Sequence, residues 1–320
     1  MQLRRGIRRV ALLDEVDRLQ ADGAVMPASD AAAAPAPLAV VMISLNEGHN
    51  MEAVLANLAG FAAEVFLVDS YSSDRTVDIA LSHGVQVVQR RFRGFGDQWN
   101  YAVGELPIRS PWTMKLDPDE RLTEELKAAI RDMIAGDEAD AVFVRRRLWF
   151  MGRPLTVRQD ILRLWRTGSC RFSDVLVNEH PVVPGRTVLL AGDLEHHDSP
   201  DLHHWFEKQN AYTTAEALAA WRADPLSAKP RLTGNRLERR MWLKRLTQRL
   251  PFAHVLMFFY CYLGLGAWRA GRTGLIWSRL RGDILRWRAY KRRELELTGV
   301  AYAPAPARLG PPDPRVRQAD

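Results

Sequence analysis

Residues 112–120 read Trp-Thr-Met-Lys-Leu-Asp-Pro-Asp-Glu, a short apolar run that ends in a cluster of carboxylates. A pattern typical of a helix follows from Thr123 to Ile134. In extended backbone, residues two apart project to the same side, so Asp117 and Asp119 can converge at the carboxyl end of a strand and bind a hard divalent cation. The same acids are also compatible with the first turn of the next helix, where negative charge suits the helix dipole.

Apolar runs alternate with helix-like segments on both sides of this cluster. The predicted strands are 38–45, 64–68, 85–89, 112–116 and 141–144, and the predicted helices are 51–58, 76–82, 97–104 and 123–134. Alternation at this spacing predicts an α/β fold with a mainly parallel sheet flanked by helices. In such a fold the ligand crevice lies at the carboxyl ends of the strands.

Polar residues follow the predicted strands where that crevice would lie. Ser44-Leu45-Asn46-Glu47 follows the first strand, and Asp69-Ser70-Tyr71-Ser72-Ser73-Asp74 follows the second. Helix capping is the alternative for Asn46 and for Asp74. The first strand is followed by neither a Gly-x-Gly-x-x-Gly loop nor a Walker-type loop, so the sequence supports neither a dinucleotide dehydrogenase nor a P-loop enzyme.

These segments, in their order and spacing, resemble the family 2 glycosyltransferases, which are nucleotide-sugar enzymes with the GT-A fold. The segments that carry the resemblance are 41–47, 68–70 with 73–76, and 116–120, and the resemblance covers roughly residues 38–210. The stretch Arg93-Gly94-Phe95-Gly96-Asp97-Gln98-Trp99-Asn100 is similar to one found in a narrower subgroup, the bacterial lipopolysaccharide-core β-glucosyltransferase-like enzymes.

The resemblance implies a donor site for a UDP-sugar and a divalent cation, Mg²⁺ or Mn²⁺. Glu47 and Asp69 would face the uracil and ribose, and Asp117 with Asp119 would meet the ribose and the metal-bound diphosphate. The donor-binding residues expected in this way are Ser44, Asn46, Glu47, Asp69, Ser70, Asp74, Gln98 and Asp117. The expected metal ligands are Asp117 and Asp119, and Asp119 would serve catalysis through the metal.

A direct displacement at the anomeric carbon also needs a base that takes the proton of the acceptor hydroxyl. The candidate is Glu179, in Val177-Asn178-Glu179-His180, and a surface glutamate in a loop is the alternative. The subgroup often has His-Glu at this point, so Asn178 is a departure from its pattern. Inversion at the anomeric carbon is implied by the resemblance alone.

Two further groups lie beyond this segment. Lys208-Gln209-Asn210-Ala211-Tyr212 resembles a helical segment near the acceptor side of the subgroup, where Lys208 would contact phosphate unless it is simply solvated. His196, His197, His203 and His204 form a cluster among acidic residues, but their spacing does not match His-Glu-x-x-His. One of them could close over the donor or acceptor instead of forming a second metal site.

The composition predicts a folded protein with an anionic partner for its C-terminal third. The chain has 320 residues, 47% apolar content and a net charge of +7. Residues 231–293 carry sixteen Lys or Arg against only Glu238 and Asp283, and aromatic residues are interleaved with them. This pattern favours an anionic membrane surface over nucleic acid, since no nucleic-acid-binding motif is present. The apolar run 252–268 is shorter than the roughly 20 residues needed to cross a bilayer, and a buried helix is the alternative.

We therefore expect four regions. They are a basic segment with an Ala/Pro linker (1–37), a GT-A glycosyltransferase domain (38–230), a helical region that associates with the membrane (231–300) and a disordered tail (301–320). The two cysteines and the broken apolar pattern near the start favour a cytoplasmic protein, peripheral on the inner face of the membrane.

The expected activity is sugar transfer from a UDP-sugar to a lipid-linked envelope acceptor such as lipopolysaccharide core. A polyprenyl phosphate or another envelope glycan is an alternative acceptor, and a non-catalytic nucleotide-sugar-binding scaffold is an alternative function. The sequence does not distinguish among hexose donors and gives no oligomeric state.

Overall fold

Strands and helices alternate in the first part of the computed structural model, which describes residues 34–173, 180–222, 230–234, 236–247, 250, 252–302 and 309–319. The elements in this part are β1 (Ala36–Ser44), α1 (Gly48–Leu58), β2 (Ala62–Asp69), α2 (Thr76–Ser82), β3 (Gln86–Arg90), α3 (Phe95–Gly104), β4 (Trp112–Lys115), β5 (Glu120–Leu122) and α4 (Glu124–Gly136). The strands and helices predicted here from hydrophobic pattern are confirmed, and β5 is an addition.

The second part begins with long strands and ends with helices. Its elements are β6 (Ala141–Phe150), β7 (Arg153–Arg166), β8 (Arg171–Phe172), β9 (Pro181–Val182), β10 (Thr187–His196), α5 (Leu202–Arg222), α6 (Arg236–Thr247), α7 (Ala253–Phe259), a π-helical turn (Tyr260–Gly264), a 3₁₀ turn (Ala267–Ala270), α8 (Gly271–Thr298) and β11 (Arg317–Ala319). Of these strands, only the start of β6 was predicted.

Nine strands form one sheet in the order β11-β3-β2-β1-β4-β7-β6-β10-β5. Strands β11, β3, β2, β1 and β4 are parallel, whereas β7 is antiparallel to both β4 and β6. Because β10 runs parallel to β6, its carboxyl end lies on the same edge of the sheet as the carboxyl ends of β1, β2 and β4. The predicted α/β class with a mainly parallel sheet is confirmed.

The sheet is covered on both faces because alternate residues of β1 point in opposite directions. Leu38, Val40 and Met42 pack with residues of α1, α2 and α4 in one core cluster. Ala39 and Val41 pack on the other face with Trp99 of α3 and with other residues of a second cluster. Strands buried on both faces have continuous apolar sequences, so the apolar runs in this part of the chain predict its strands directly.

The C-terminal helices pack against the long strands β6 and β7 through a third core cluster, which includes Phe150, Leu155, Trp205, Cys261 and Trp277. The apolar run 252–268 is not one buried helix, because it changes from α-helix to a π-helical turn and then to a 3₁₀ turn. One side of it is buried and the other is exposed. None of the described helices combines the length and the apolar character needed to span a bilayer.

The last described residues, 309–319, are ordered against the outer edge of the sheet, where β11 pairs with β3. This differs from the expectation of disorder after residue 301. The expectation rested on the lack of apolar periodicity, but pairing with an exposed strand edge needs only backbone donors and acceptors.

Candidate active site

Asp119, His196 and Asp198 come together at the carboxyl edge of the sheet. Asp119 lies in the turn after β4, His196 is the last residue of β10, and Asp198 follows it. Each residue offers a ligand atom, and these atoms all lie within 4.8 Å of one another. The pairing of β10 with β5 places His196 opposite Glu120, which brings the two strand ends together.

Lys208 of α5 completes this group with a positive charge. Its Nζ lies 2.9 Å from Asp198 Oδ1 and 3.5 Å from Asp119 Oδ2, and His196 Nε2 lies 3.3 Å from the same Asp119 oxygen. Burial raises the pKa of Asp119, but His196 and Lys208 outweigh burial and hold that pKa well below its usual value. Burial lowers the pKa of Lys208, yet the two carboxylates raise it overall. Both groups are therefore ionised at neutral pH.

Two polar atoms of this group are buried without a hydrogen-bond partner among the described residues. They are Oδ1 of Asp119 and Nδ1 of His196. Buried polar atoms normally have a partner, so these two atoms are available to a ligand. One imidazole nitrogen and two carboxylate oxygens form a ligand set that suits Mn²⁺, and also Mg²⁺ when water completes its shell.

Asp117, the other half of the predicted metal pair, lies outside this group of ligand atoms. Its Oδ2 accepts a hydrogen bond from Arg163 Nη2 at 2.7 Å, and the same guanidinium binds Glu120. The backbone turns between Asp117 and Asp119, and Glu120 N donates to Asp117 O. The alternation expected for extended backbone therefore does not apply to this pair of aspartates. Burial raises the pKa of Asp117, but Arg163 and Lys115 lower it to about 2.

Ser44 and Asp69 are buried together at the ends of β1 and β2. Ser44 Oγ donates to Asp69 Oδ1 at 3.0 Å, and Ser72 N and Gln89 Nε2 donate to Asp69 Oδ2 at 2.9 and 3.0 Å. Ser72 Oγ also donates to Asp69. Asp69 is 0% exposed, so it orders the two loops from within and does not present a free carboxylate at the surface.

Asn46 and Asp74 connect the loops after β1 and β2. Ser73 N donates to Asn46 Oδ1 at 2.8 Å, and Asn46 N donates to Ser72 Oγ at 2.8 Å. Asp74 accepts from the backbone N–H of Gly48, where α1 begins, and of Thr76, where α2 begins. Asp74 therefore caps the starts of both α1 and α2, in agreement with helix capping, the alternative role considered for this residue.

Glu47 lies within electrostatic reach of Asp119 and Lys208, whereas Ser70 and Gln98 are buried. We call Asp119, His196 and Asp198 the metal-ligating group, after the ligand set that they offer. Burial raises the pKa of Glu47, whose Oε2 accepts a hydrogen bond from Asn50 at 2.9 Å. Gln98 is fully buried; it donates to Ser70 Oγ at 3.3 Å and accepts from Arg90 at 2.9 Å. These contacts hold Gln98 in the interior beside the loop after β2, and its role in donor binding stays a prediction.

The remaining candidates are the predicted base and two of the clustered histidines. Glu179, the predicted base, lies outside the described residues. His197 stacks on Trp149 with ring centroids 4.5 Å apart, and His204 meets His49 edge to face at 5.4 Å.

Sequence reasoning missed Arg163. It considered His196 and Asp198 only as members of a disfavoured second metal site and did not connect either residue with Asp119. The strand pattern of residues 187–196 was the available signal, since recognising β10 would have put His196 at a strand end.

Comparisons with known proteins show that part of the chain is similar to glycosyltransferases. Residues 39–187 match the family model "Glycosyl transferase family 2". The chain is 27% identical over 252 residues to the lipopolysaccharide core biosynthesis glycosyltransferase LpsC of Rhizobium meliloti, covering 75% of this chain and 86% of that protein. It is 33% identical over 103 residues to an uncharacterized glycosyltransferase of Rickettsia bellii, covering 32% of this chain and 34% of that protein.

Among solved structures, the mannosyltransferase PcManGT of Pyrobaculum calidifontis, in complex with GDP-Man and Mn²⁺, overlaps with a TM-score of 0.47 at 14% identity, covering 81% of this chain and 89% of that one. The family match runs from β1 to the first residue of β10, so it includes the polar loops after β1, β2 and β4 but not His196, Asp198 or Lys208. Residues 39–187 therefore form a family 2 glycosyltransferase domain.

Proposed function

We propose that this glycosyltransferase moves a sugar from a UDP-sugar to a lipid-linked envelope acceptor such as lipopolysaccharide core, with inversion and with the help of a divalent cation. The observation that carries the proposal is the convergence of Asp119, His196 and Asp198 at the edge of the sheet where three polar strand ends meet. Similarity to a lipopolysaccharide core glycosyltransferase supports the class of acceptor.

The residues present fit a divalent cation. Asp119 and His196 each have a buried polar atom without a partner among the described residues, and Asp198 adds a carboxylate within reach. Lys208 already lies between the two carboxylates, so the group attracts positive charge. A bound Mn²⁺ or Mg²⁺ would supply Lewis-acid stabilisation of the diphosphate as it leaves.

The loops after β1 and β2 are proposed to bind the nucleoside. Glu47, at the end of the loop after β1, is proposed to face the nucleoside. Buried Asp69 accepts hydrogen bonds that hold Ser44 and Ser72 in place. A base held in a cleft needs fixed hydrogen-bond partners, and loops that are cross-linked by Asn46 and Asp74 are rigid enough to provide them.

The protein's own charges would act around the reacting bond. Lys208 is positioned to balance negative charge on phosphate oxygens, and Arg163 fixes the turn that carries Asp119 by binding Asp117 and Glu120. Charges fixed before the reaction stabilise a leaving anion with little reorganisation. Glu179 remains the proposed base for the acceptor hydroxyl.

The test is calorimetric titration of the full chain with UDP, with and without Mn²⁺, on the wild type and on Asp119→Asn. We expect UDP to bind more tightly with Mn²⁺ and the substitution to abolish that difference. Arg158→Gln is the control, because Arg158 is an exposed arginine bound to Asp193 away from the metal-ligating group. Absence of UDP binding with and without Mn²⁺ would refute the UDP-sugar proposal and favour another nucleotide or a non-catalytic scaffold.

The acceptor side is proposed to lie on an anionic membrane. An exposed stripe, which we call the apolar stripe, runs along α7 and the π-helical turn; its members are Phe252, Leu256, Phe259 and Leu263. These positions recur every three or four residues and so share one face of the helix. Trp268 and Arg269, next along the chain, form a cation–π pair at 5.0 Å, and both are exposed. An exposed apolar face beside arginines suits insertion into the interface of an anionic bilayer.

Sedimentation with lipid vesicles tests this surface. We expect the full chain to bind vesicles that contain anionic lipid, and Leu256→Glu with Phe259→Glu to release it. Leu297→Glu is the matched control, since Leu297 is also exposed but lies at the end of α8. Equal loss with the control, or unchanged binding by the double variant, would refute the role of the apolar stripe.

A further inference from the structure

Residues 309–319, which we call the C-terminal strap, lie against the part of the sheet that carries the proposed nucleoside loops. Strand β11 pairs in parallel with β3, with Arg317 opposite Val88 and Ala319 opposite Arg90. Arg315 binds Asp78 of α2 at 2.6 Å. The strap is therefore anchored to two elements on the nucleoside side of the crevice.

Through Gln89 of β3, the strap reaches Asp69. The backbone N–H of Asp313 donates to Gln89 Oε1 at 2.7 Å, and Gln318 Nε2 donates to the same oxygen at 3.2 Å. Gln89 Nε2 in turn donates to Asp69 Oδ2 at 3.0 Å. Because Gln89 is 1% exposed, water would not easily replace the donors from the strap. The orientation of the amide that holds Asp69 thus depends on the strap.

Gly310 makes a second, separate contact, with the loop that follows β2. Its N–H donates to Tyr71 O at 2.8 Å, and Tyr71 has a φ of 62°, a left-handed conformation that is unusual for a tyrosine. A Cβ at position 310 would lie 2.5 Å from Ser72 O, so the two backbones are in direct contact. Ser72 is the residue whose hydroxyl accepts from Asn46 N.

We propose that the C-terminal strap positions the nucleoside-binding loops, so that affinity for the donor nucleotide depends on the strap. The inference rests on the proposed function, in which the loops after β1 and β2 bind the nucleoside. Contacts of the strap run to β3, α2 and the 69–74 loop, whereas the metal-ligating group is built from the turn after β4, the end of β10 and α5. The strap is therefore expected to affect binding of the nucleotide and not the breaking of the glycosidic bond.

Hydrogen–deuterium exchange on the full wild-type chain gives the first test. Two sites that are coupled affect each other equally, so a nucleotide that is stabilised by the strap must also stabilise the strap. Saturating UDP with Mn²⁺ is expected to slow exchange at the amides of Gly310 and Asp313. Unchanged exchange at both amides while UDP is bound would overturn the proposal.

A pair of substitutions at position 313 gives the second test. Asp313→Pro removes the N–H that donates to Gln89, whereas Asp313→Ala keeps it, and both lose the carboxylate that binds Arg315. Loss of one hydrogen bond to a buried group predicts a rise of about fivefold in the Kd for UDP and in the donor KM for the proline variant. The alanine variant is expected to bind UDP more tightly than the proline variant, and both should keep the wild-type kcat.

Gly310→Ala is an independent variant that displaces the strap from Ser72, and Arg317→Ala is the control, since its side chain is exposed on β11. We expect Gly310→Ala to raise the donor KM and Arg317→Ala to leave it unchanged. Equal donor KM values in the two position-313 variants, a wild-type KM in Gly310→Ala, or a fall in kcat that matches the rise in KM would overturn the positioning role. Failure of the wild type to bind UDP would instead overturn the proposed function, and with it the role of the strap.

Discussion

Replacing Lys208 with methionine is expected to raise the affinity of the nucleotide-free protein for Mn²⁺. The ammonium lies 2.9 Å from Asp198 Oδ1 and 3.5 Å from Asp119 Oδ2, so it occupies the space in which a cation would be bound by the same carboxylates. Two unit charges 3.5 Å apart attract by about 5 kcal/mol at an effective dielectric constant of about 20. Desolvation and side-chain entropy offset most of this attraction, and a hydrogen bond to a charged group contributes about 1.5–3 kcal/mol net.

A metal ion that binds Asp119 and Asp198 in the wild type must displace their contacts with Lys208. In the methionine variant there is no such contact to displace. The expected gain in Mn²⁺ affinity is therefore about 10- to 100-fold. The methionine variant without metal should also have a lower melting temperature, because its two carboxylates face each other without the lysine, and Mn²⁺ should restore it.

The assay is titration with Mn²⁺, followed by calorimetry and by the shift in melting temperature. Lys208→Arg is the matched control, since it keeps the positive charge and should retain weak metal binding. An unchanged or weaker affinity for Mn²⁺ in Lys208→Met would refute the competition between the lysine and the metal, and would favour a lysine that only supports the fold.

Two further predictions concern Asp119 itself and Arg163, the arginine that binds the neighbouring carboxylates. Asp119→Asn is expected to lower kcat by at least about a hundredfold, because stabilisation of a leaving anion is lost together with the metal; near wild-type turnover in saturating Mn²⁺ would contradict the assignment. Arg163→Met should lower the free energy of unfolding by about 3–5 kcal/mol, since it leaves Asp117 and Glu120 without their buried partner. The matched change Arg158→Met, also on β7 but exposed, should cost no more than about 1 kcal/mol in urea denaturation; similar losses in the two variants would show that burial of Arg163 is not the cause.

Local pattern was sufficient for the parallel half of the sheet. Strands such as β1 and β2 are buried on both faces, so their apolar runs are continuous and their polar ends mark the crevice edge directly. The long strands β7 and β10 were missed because they are only partly buried and carry many charged residues. Their pairing partners, and not their composition, decide that they are strands.

The sequence by itself determined the class of fold, the loops at the strand ends and the position of the acidic cluster at 117–120 after a strand. Only the tertiary structure decided the neighbours of each acid, since Asp119 faces His196 and Lys208, whereas Asp117 is held by Arg163. It also decided that the last residues lie beside the nucleoside loops, through Gln89. The physical reason is that propensity and periodicity act over a few neighbours, whereas ion pairs and sheet pairing join residues that only the folded chain brings together.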